Sequence, residues 1–255
     1  MKNYKNELEL WELCIFADND FLPFYQKVRS YIKQKCEKSV VAFDEVENTF
    51  LFAVVPKYAE QIAGLITNEI CLYLLQKKKS EYLCNHLINT SFMGDLELIF
   101  IKTLTLFDNE NDCLEIQKNL RLNKELHLNE FYFFKCKNLR KRWQEICNMT
   151  NENNFFFSSN ELTLNLIRFL LNNCKRKVDK LIISKNKSYI YISNKNDIIS
   201  FFGIDEDSVN RGNNIVIKIL ENLPNNIVLE NEKNFNKEFV TFLDLIFKNS
   251  LKFAV

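Results

Sequence analysis

The apolar residues of this chain change period along its first 80 positions, and that change constrains the fold more than any other feature. LELWELCIFA, residues 8–17, carries large apolar residues in alternation and predicts a strand. In the following DNDFLPFYQKVRSYIKQKCEK, residues Phe24, Val28, Tyr31, Ile32 and Cys36 fall at helical spacing, and Asp18 or Asp20 is placed to cap the helix. SVVAFDEV and TFLFAVVP read as a hairpin across ENT. Pro56 suits the first turn of a second helix with an apolar face of Ile62, Leu65, Ile66, Ile70, Tyr73 and Leu74. Lys77–Lys79 lie towards its C-terminal end, where cations complement the helix dipole. The order β-α-β-β-α implies a small α+β unit with helices on one face of an antiparallel sheet.

The last third switches period again. SSNELTLNLIRFLLNNC, residues 158–174, opens on capping residues and gives a helix with Leu162, Leu166, Phe169 and Leu170 on its core face. KVDKLIISKNKSYIYISNKNDII reads as two strands around KNK, and GIDEDSVNRGN as an acidic loop whose Asp205, Glu206 and Asp207 mark a helix start. NIVIKILENL then predicts a helix, NNIVLEN a strand, EFVTFLDLIFKN a helix and SLKFAV a final strand. Strand–helix–strand at this spacing is a βαβ unit with parallel strands. Residues 81–128 look helical but irregular, interrupted by the polar FDNENDC (107–113), which reads as a solvated connection. Its acidic spacing resembles a calcium loop, but Cys113 stands where such a loop requires glycine. The fold class is therefore α+β: an N-terminal β-α-β-β-α unit with its long helix (1–92), a central helical segment (93–176), and a C-terminal β-hairpin plus βαβ unit (177–255).

Between these units lies NEFYFFKCKNLRKRW, residues 129–143, with four consecutive aromatics followed by a run of cations. At about 100° per residue, Tyr132, Cys136, Leu139, Trp143 and Ile146 form one stripe. Lys137 and Lys141 lie opposite it, Lys135 and Arg142 flank one side, and Arg140 the other. Phe131 and Phe134 fall off the stripe, which predicts a second buried surface on this helix.

Composition removes several function classes. With 47% apolar residues and 23 Phe the chain has material for a sizeable core, and four Gly with three Pro argue against a turn-rich sandwich or a glycine-rich phosphate loop. A net charge of +1 gives no global attraction to nucleic acid or anionic lipid. The eight cysteines include no C-x-x-C and no zinc-like pairing with histidine, so they read as reduced thiols, and no metal or cofactor is implied. The charged N-terminus is unlike a signal peptide, and no apolar run approaches the roughly 18–20 residues of a membrane span, so a cytoplasmic location is expected. The two histidines, His86 and His127, sit in apolar helical surroundings away from any nucleophile motif, so the chain reads as non-catalytic.

In the order of these pieces the chain resembles the YtxC-like family of sporulation proteins. That family shows a G-F-x-x-F-R-x-x-x-Y helix at its centre; here the matching residues are Phe131, Phe134, Lys135 and Leu139, with Glu130 in place of the glycine. Lysine replaces the arginine and leucine the tyrosine. Downstream, IRFLLNNCKRKVDKLIISKNKSYIYISNKNDII, IVIKILENLPNNIVLEN and FLDLIFKNSLKFAV are similar to the family's later elements, so the likeness covers about residues 60–255. It implies an intracellular, sporulation-associated protein and supplies no catalytic residues.

Two surface readings follow. As an interaction or regulatory module, the protein would present Phe131, Phe134, Lys135, Leu139 and Trp143 to a protein partner. As a nucleic-acid-binding protein it would use Lys137, Arg140, Lys141 and Arg142 on phosphates, with Tyr132 or Phe133 stacking on bases and the CKRK run (174–177) adding contacts. The first is the expected function, and the second the alternative.

Overall fold

The computed structural model describes residues 10–87, 96–153, 159–194, 197–203, 208–248 and 250–254. They form an α+β protein of two compact units, one built from residues 1–82 and 110–146, the other from 83–109 and 147–255.

In the first unit, β1 (Trp11–Phe16) leads into α1 (Leu22–Lys35), and β2 (Val40–Asp44) and β3 (Thr49–Val54) form the expected hairpin. α2 (Ala59–Tyr73) follows a single 3-10 turn that starts at Pro56, and α3 is Lys79–His86. The sheet order is β2-β3-β1-β4. β1 pairs antiparallel with β3 from Trp11↔Val54 to Phe16↔Thr49. The alternation of β1 buries Leu13 and Ile15, which share a core with Phe50, Phe52 and Val54 of β3 and with Tyr25, Val28, Ile32, Ile62, Ile66 and Ile70 of the helices. Phe21 meets Phe50 and Tyr73 edge-on at 5.2 and 5.4 Å, the geometry that ring quadrupoles favour.

One strand departs from the sequence reading. β4 (Glu125–His127) pairs parallel with β1 (Cys14↔Glu125 to Phe16↔His127), so the sheet is mixed rather than antiparallel. Three residues are too few to display a period of two; tertiary pairing decides this strand. His127 therefore lies on a strand, exposed and stacked on Phe16 at 4.4 Å, and not on a helix.

In the second unit, α4 (Leu96–Leu106), α8 (Asn160–Asn172), α9 (Ser208–Asn222) and α10 (Lys237–Phe247) accompany a five-stranded sheet of order β7-β6-β5-β8-β9. β5 (Val178–Lys185) and β6 (Tyr189–Asn194) are the expected hairpin; β8 (Pro224–Glu230), α10 and β9 (Leu251–Ala254) are the expected βαβ unit, with β8 and β9 parallel. β7 (Asp197–Gly203) is a further strand, antiparallel to β6, beyond the two that the sequence predicts. α9 begins at Ser208, inside the stretch read as an acidic loop; Asp205, Glu206 and Asp207 lie outside the described residues.

α8 is capped by Ser159, whose Oγ accepts the Leu162 N–H at 3.2 Å, but it presents a different face from the one expected. Thr163, Leu164, Ile167, Leu170 and Leu171 are buried, while Leu162 and Phe169 are exposed. Two overlapping apolar stripes occur at helical spacing here, and packing selects the β-branched and leucine-rich one.

The scarcity of glycine has a local consequence. Lys38, Asn48, Asp108, Leu223 and Asn231 all adopt positive φ. Leu223, at φ 39° directly after α9, stands where helices usually end on glycine, and it holds that place by being buried.

Candidate interaction surface

The segment 128–152 is not one continuous α-helix. A short helical turn, α6 (Leu128–Glu130), runs into a π-helical turn, Phe131–Lys135, and α7 (Lys137–Glu152) begins beyond it. The Cys136 N–H reaches back to the Phe131 carbonyl at 3.3 Å. The wider turn rotates each residue through a smaller angle about the axis than an α-helix does, and single π turns of this kind concentrate at functional sites.

This offset sorts the residues singled out from sequence. Phe131, Leu139 and Trp143, expected on an interaction surface, are core residues, with Leu139 and Trp143 fully buried. Phe134 and Lys135 face solvent; Phe134 is 77% exposed. Phe131 is thus the buried one of the two off-stripe phenylalanines, and Phe134 is not on a second buried surface. Phe133, which the sequence assigns no place in that surface, is 56% exposed beside it.

Of the cations, Arg140 and Arg142 are engaged. Arg140 donates from Nη2 to the Phe133 carbonyl at 2.5 Å, and its guanidinium lies 5.4 Å from the ring centres of both Tyr132 and Phe133. It fastens the π turn to α7 through a hydrogen bond and two cation–π contacts. Burial pushes the Tyr132 phenol up to about 12, so it stays a neutral hydroxyl. Arg142 reaches the Asp112 carboxylate at 3.0 Å. Lys135, Lys137 and Lys141 are exposed and take part in no ion pair among the described residues.

Asp112 anchors α7 from inside. It lies on α5 (Asn109–Asn119), in the stretch read as a solvated polar connection, yet it is buried. Its Oδ2 accepts from Lys79 Nζ and from the Trp143 indole N–H, each at 2.9 Å, and its Oδ1 accepts from Arg142. Lys79, expected as a cation towards a helix end, is fully buried in this ion pair. The Tyr82 hydroxyl donates to Gln144 at 2.7 Å beside the Trp143 ring. Trp143 is thereby fixed at both its edge and its face.

Asp18 plays a matching part near the surface. No side-chain cap forms at Asp18, and the helix that follows it starts without one. Instead its carboxylate accepts from Lys78 at 2.9 Å, from Asn129 at 3.0 Å and from the Tyr73 hydroxyl at 3.5 Å. Lys78 ends a second π-helical turn, Leu74–Lys78, and Asn129 lies in α6, the short turn that runs into the first. The hydrogen bond from Lys78 is the largest influence holding the Asp18 carboxyl below its usual value. Burial opposes the charge on Lys78, but Asp18, together with Tyr73 and Glu81, offsets it and raises the ammonium's pKa.

The eight cysteines form no disulfide, and burial pushes the Cys136 and Cys147 thiols up to about 12 and 11. Among the described residues no group of three or more His, Cys, Asp or Glu is placed to hold a metal ion, and no helix is long and apolar enough to cross a membrane.

The signals for Asp112 and Lys79 were absent from the sequence for a simple reason: each sits in a polar run, and nothing local says that two such runs are folded against each other. The chain matches no family model, no curated protein and no solved structure.

Proposed function

We propose that this protein is a non-catalytic interaction module that docks a protein partner through the turn 131–141, with Phe133 and Phe134 as apolar anchors and Lys135, Lys137 and Lys141 as a basic rim. The observation that carries the reading is Phe134, exposed on a turn that Arg140 fastens in place. An exposed aromatic pair on a rigid support is the composition of an interface anchor, since little ordering entropy remains to be lost on binding. The rim favours a partner with an acidic surface. A cytoplasmic, sporulation-associated role is the setting that the resemblance to the YtxC-like family supports.

The test is affinity capture of tagged full-length protein from sporulating cells, with and without nuclease, beside a Phe133→Ser/Phe134→Ser variant. A partner that survives nuclease and is lost with the variant supports the module. Capture of the same partner by the variant refutes the surface. The three free lysines favour one alternative, binding of nucleic acid. Three phosphate contacts would weaken such binding roughly 40-fold between 50 and 200 mM salt, whereas an interface anchored by two phenylalanines loses far less. Recovery that vanishes with nuclease and shows this salt dependence assigns the surface to nucleic acid instead.

A further inference from the structure

The CKRK run belongs to the second unit and takes no part in the surface above. Arg176 from that run, Arg168 of α8 and Lys248 at the end of α10 line one small recess of ≈ 60 Å³, together with Asn172 and Ser250. No carboxylate lines it among the described residues. Arg168 is held in place: its Nε donates to the Leu245 carbonyl at 2.6 Å and its Nη1 to Asn165 at 3.0 Å, which leaves the rest of its guanidinium fork available. Arg176 and Lys248 have no ion-pair partner among the described residues.

Cations near the ends of α8 and α10 are favoured by the helix dipoles, and Arg168 already answers one carbonyl in the last turn of α10, that of Leu245. The dipoles do not account for three cations converging on a single recess without a counter-charge, an arrangement that costs mutual repulsion. A volume equivalent to about two waters, open on one side, accepts one tetrahedral oxyanion. Arginine forks and a hydroxyl match its geometry, and a double negative charge answers the three positive ones. We propose that this recess binds a phosphoryl dianion, either free phosphate or the phosphate group of a small monoester, with Arg168, Arg176, Lys248 and Ser250 as its ligands.

The experiment is calorimetric titration of the full chain with orthophosphate at low ionic strength, then competition by glycerol phosphate and by acetate. Saturable binding at one site per chain is expected, weakened about tenfold by Arg176→Gln and by Lys248→Gln, partly retained in Arg176→Lys, and unchanged in Lys187→Gln, whose side chain lies in the β5–β6 turn. Competition by glycerol phosphate identifies a monoester site, and its exclusion identifies a site for free phosphate. Absence of saturable binding up to about 10 mM phosphate overturns the proposal, as does equal binding by the two Gln variants or displacement by acetate as effective as by phosphate. Lys248 is exposed, so its variant reads the site without disturbing the core.

Discussion

Removing the Asp112 carboxylate with Asp112→Ala should destabilise the first unit far more than removing its buried cation with Lys79→Met. Loss of Asp112 takes the carboxylate 2.9 Å away from an ammonium that is fully buried, and takes the acceptor from the fully buried Trp143 N–H. Breaking a buried pair from one side costs about 3–5 kcal/mol, and an orphaned buried donor about 1–3 kcal/mol. The two losses share one site and do not add fully, so the expected cost is about 4–6 kcal/mol, a large part of the stability of a typical domain. Lys79→Met leaves Asp112 with Arg142 at 3.0 Å and Trp143 at 2.9 Å, and it fills the same volume with an apolar chain, so about 1–2 kcal/mol is expected. The double variant should recover roughly 2–3 kcal/mol relative to Asp112→Ala, because the buried charge that lacked its carboxylate is gone. Both tryptophans, Trp11 and Trp143, belong to the first unit, so urea unfolding followed by tryptophan fluorescence reads that unit alone. An Asp112→Ala cost no larger than that of Lys79→Met, or a coupling below about 0.5 kcal/mol, would refute the assignment of Asp112 as the organising group.

Other consequences can be measured alongside. Phe134→Ser should change stability by less than about 0.5 kcal/mol while abolishing partner capture, as checked by denaturation and pull-down in parallel. Ile167→Ala should cost about 2–5 kcal/mol and Phe169→Ala about 0.5 kcal/mol or less; the reverse order in thermal unfolding would mean that α8 presents the other face. Ser159→Ala and Asn236→Ala each remove a side-chain acceptor from a helix N-terminus and should cost about 1 kcal/mol each. Because the Asp18 carboxyl is held below its usual value by Lys78, its contribution is present above an ordinary aspartate pKa of about 3.9 and is lost as pH falls through the lower folded value. Asp18→Asn should therefore flatten the acid limb of the stability curve and leave its shape near neutral pH unchanged.

Where burial is one-sided, the sequence carried the fold. Ile62, Ile66 and Ile70 are buried on α2 as their spacing predicts, and Leu13 and Ile15 of β1 follow a strict alternation. It was silent where tertiary partners decide. β4 exists because β1 offers an edge to pair with, and the face of α8 is chosen by what packs on it. The apposition of 110–146 with 1–82 joins distant segments, so Lys79 read as a helix-end cation and Asp112 as part of a solvated loop. In the aromatic stretch, Tyr132 is buried with Cys136, Leu139 and Trp143 as helical spacing predicts, whereas Phe134 on the π turn is exposed rather than on a second buried surface.

That turn also changes what the cation run can do. Five positive residues between 135 and 142 suggest a phosphate-binding face when read as a helix. Two of them are spent on structure, Arg140 on the Phe133 carbonyl and its neighbouring rings, Arg142 on Asp112. The remaining three lysines are exposed on the same stretch of chain as two exposed phenylalanines, and one side of Phe133 is already covered by Arg140. A surface that keeps Phe134 in water loses hydrophobic stabilisation for as long as it is empty, and that loss is regained only by a partner that buries the ring. Nucleic acid would repay the lysines and stack on at most the open face of Phe134; a protein groove with an acidic border would bury the ring and answer the lysines together. The balance of apolar anchor over free charge is why the interaction reading is the stronger of the two.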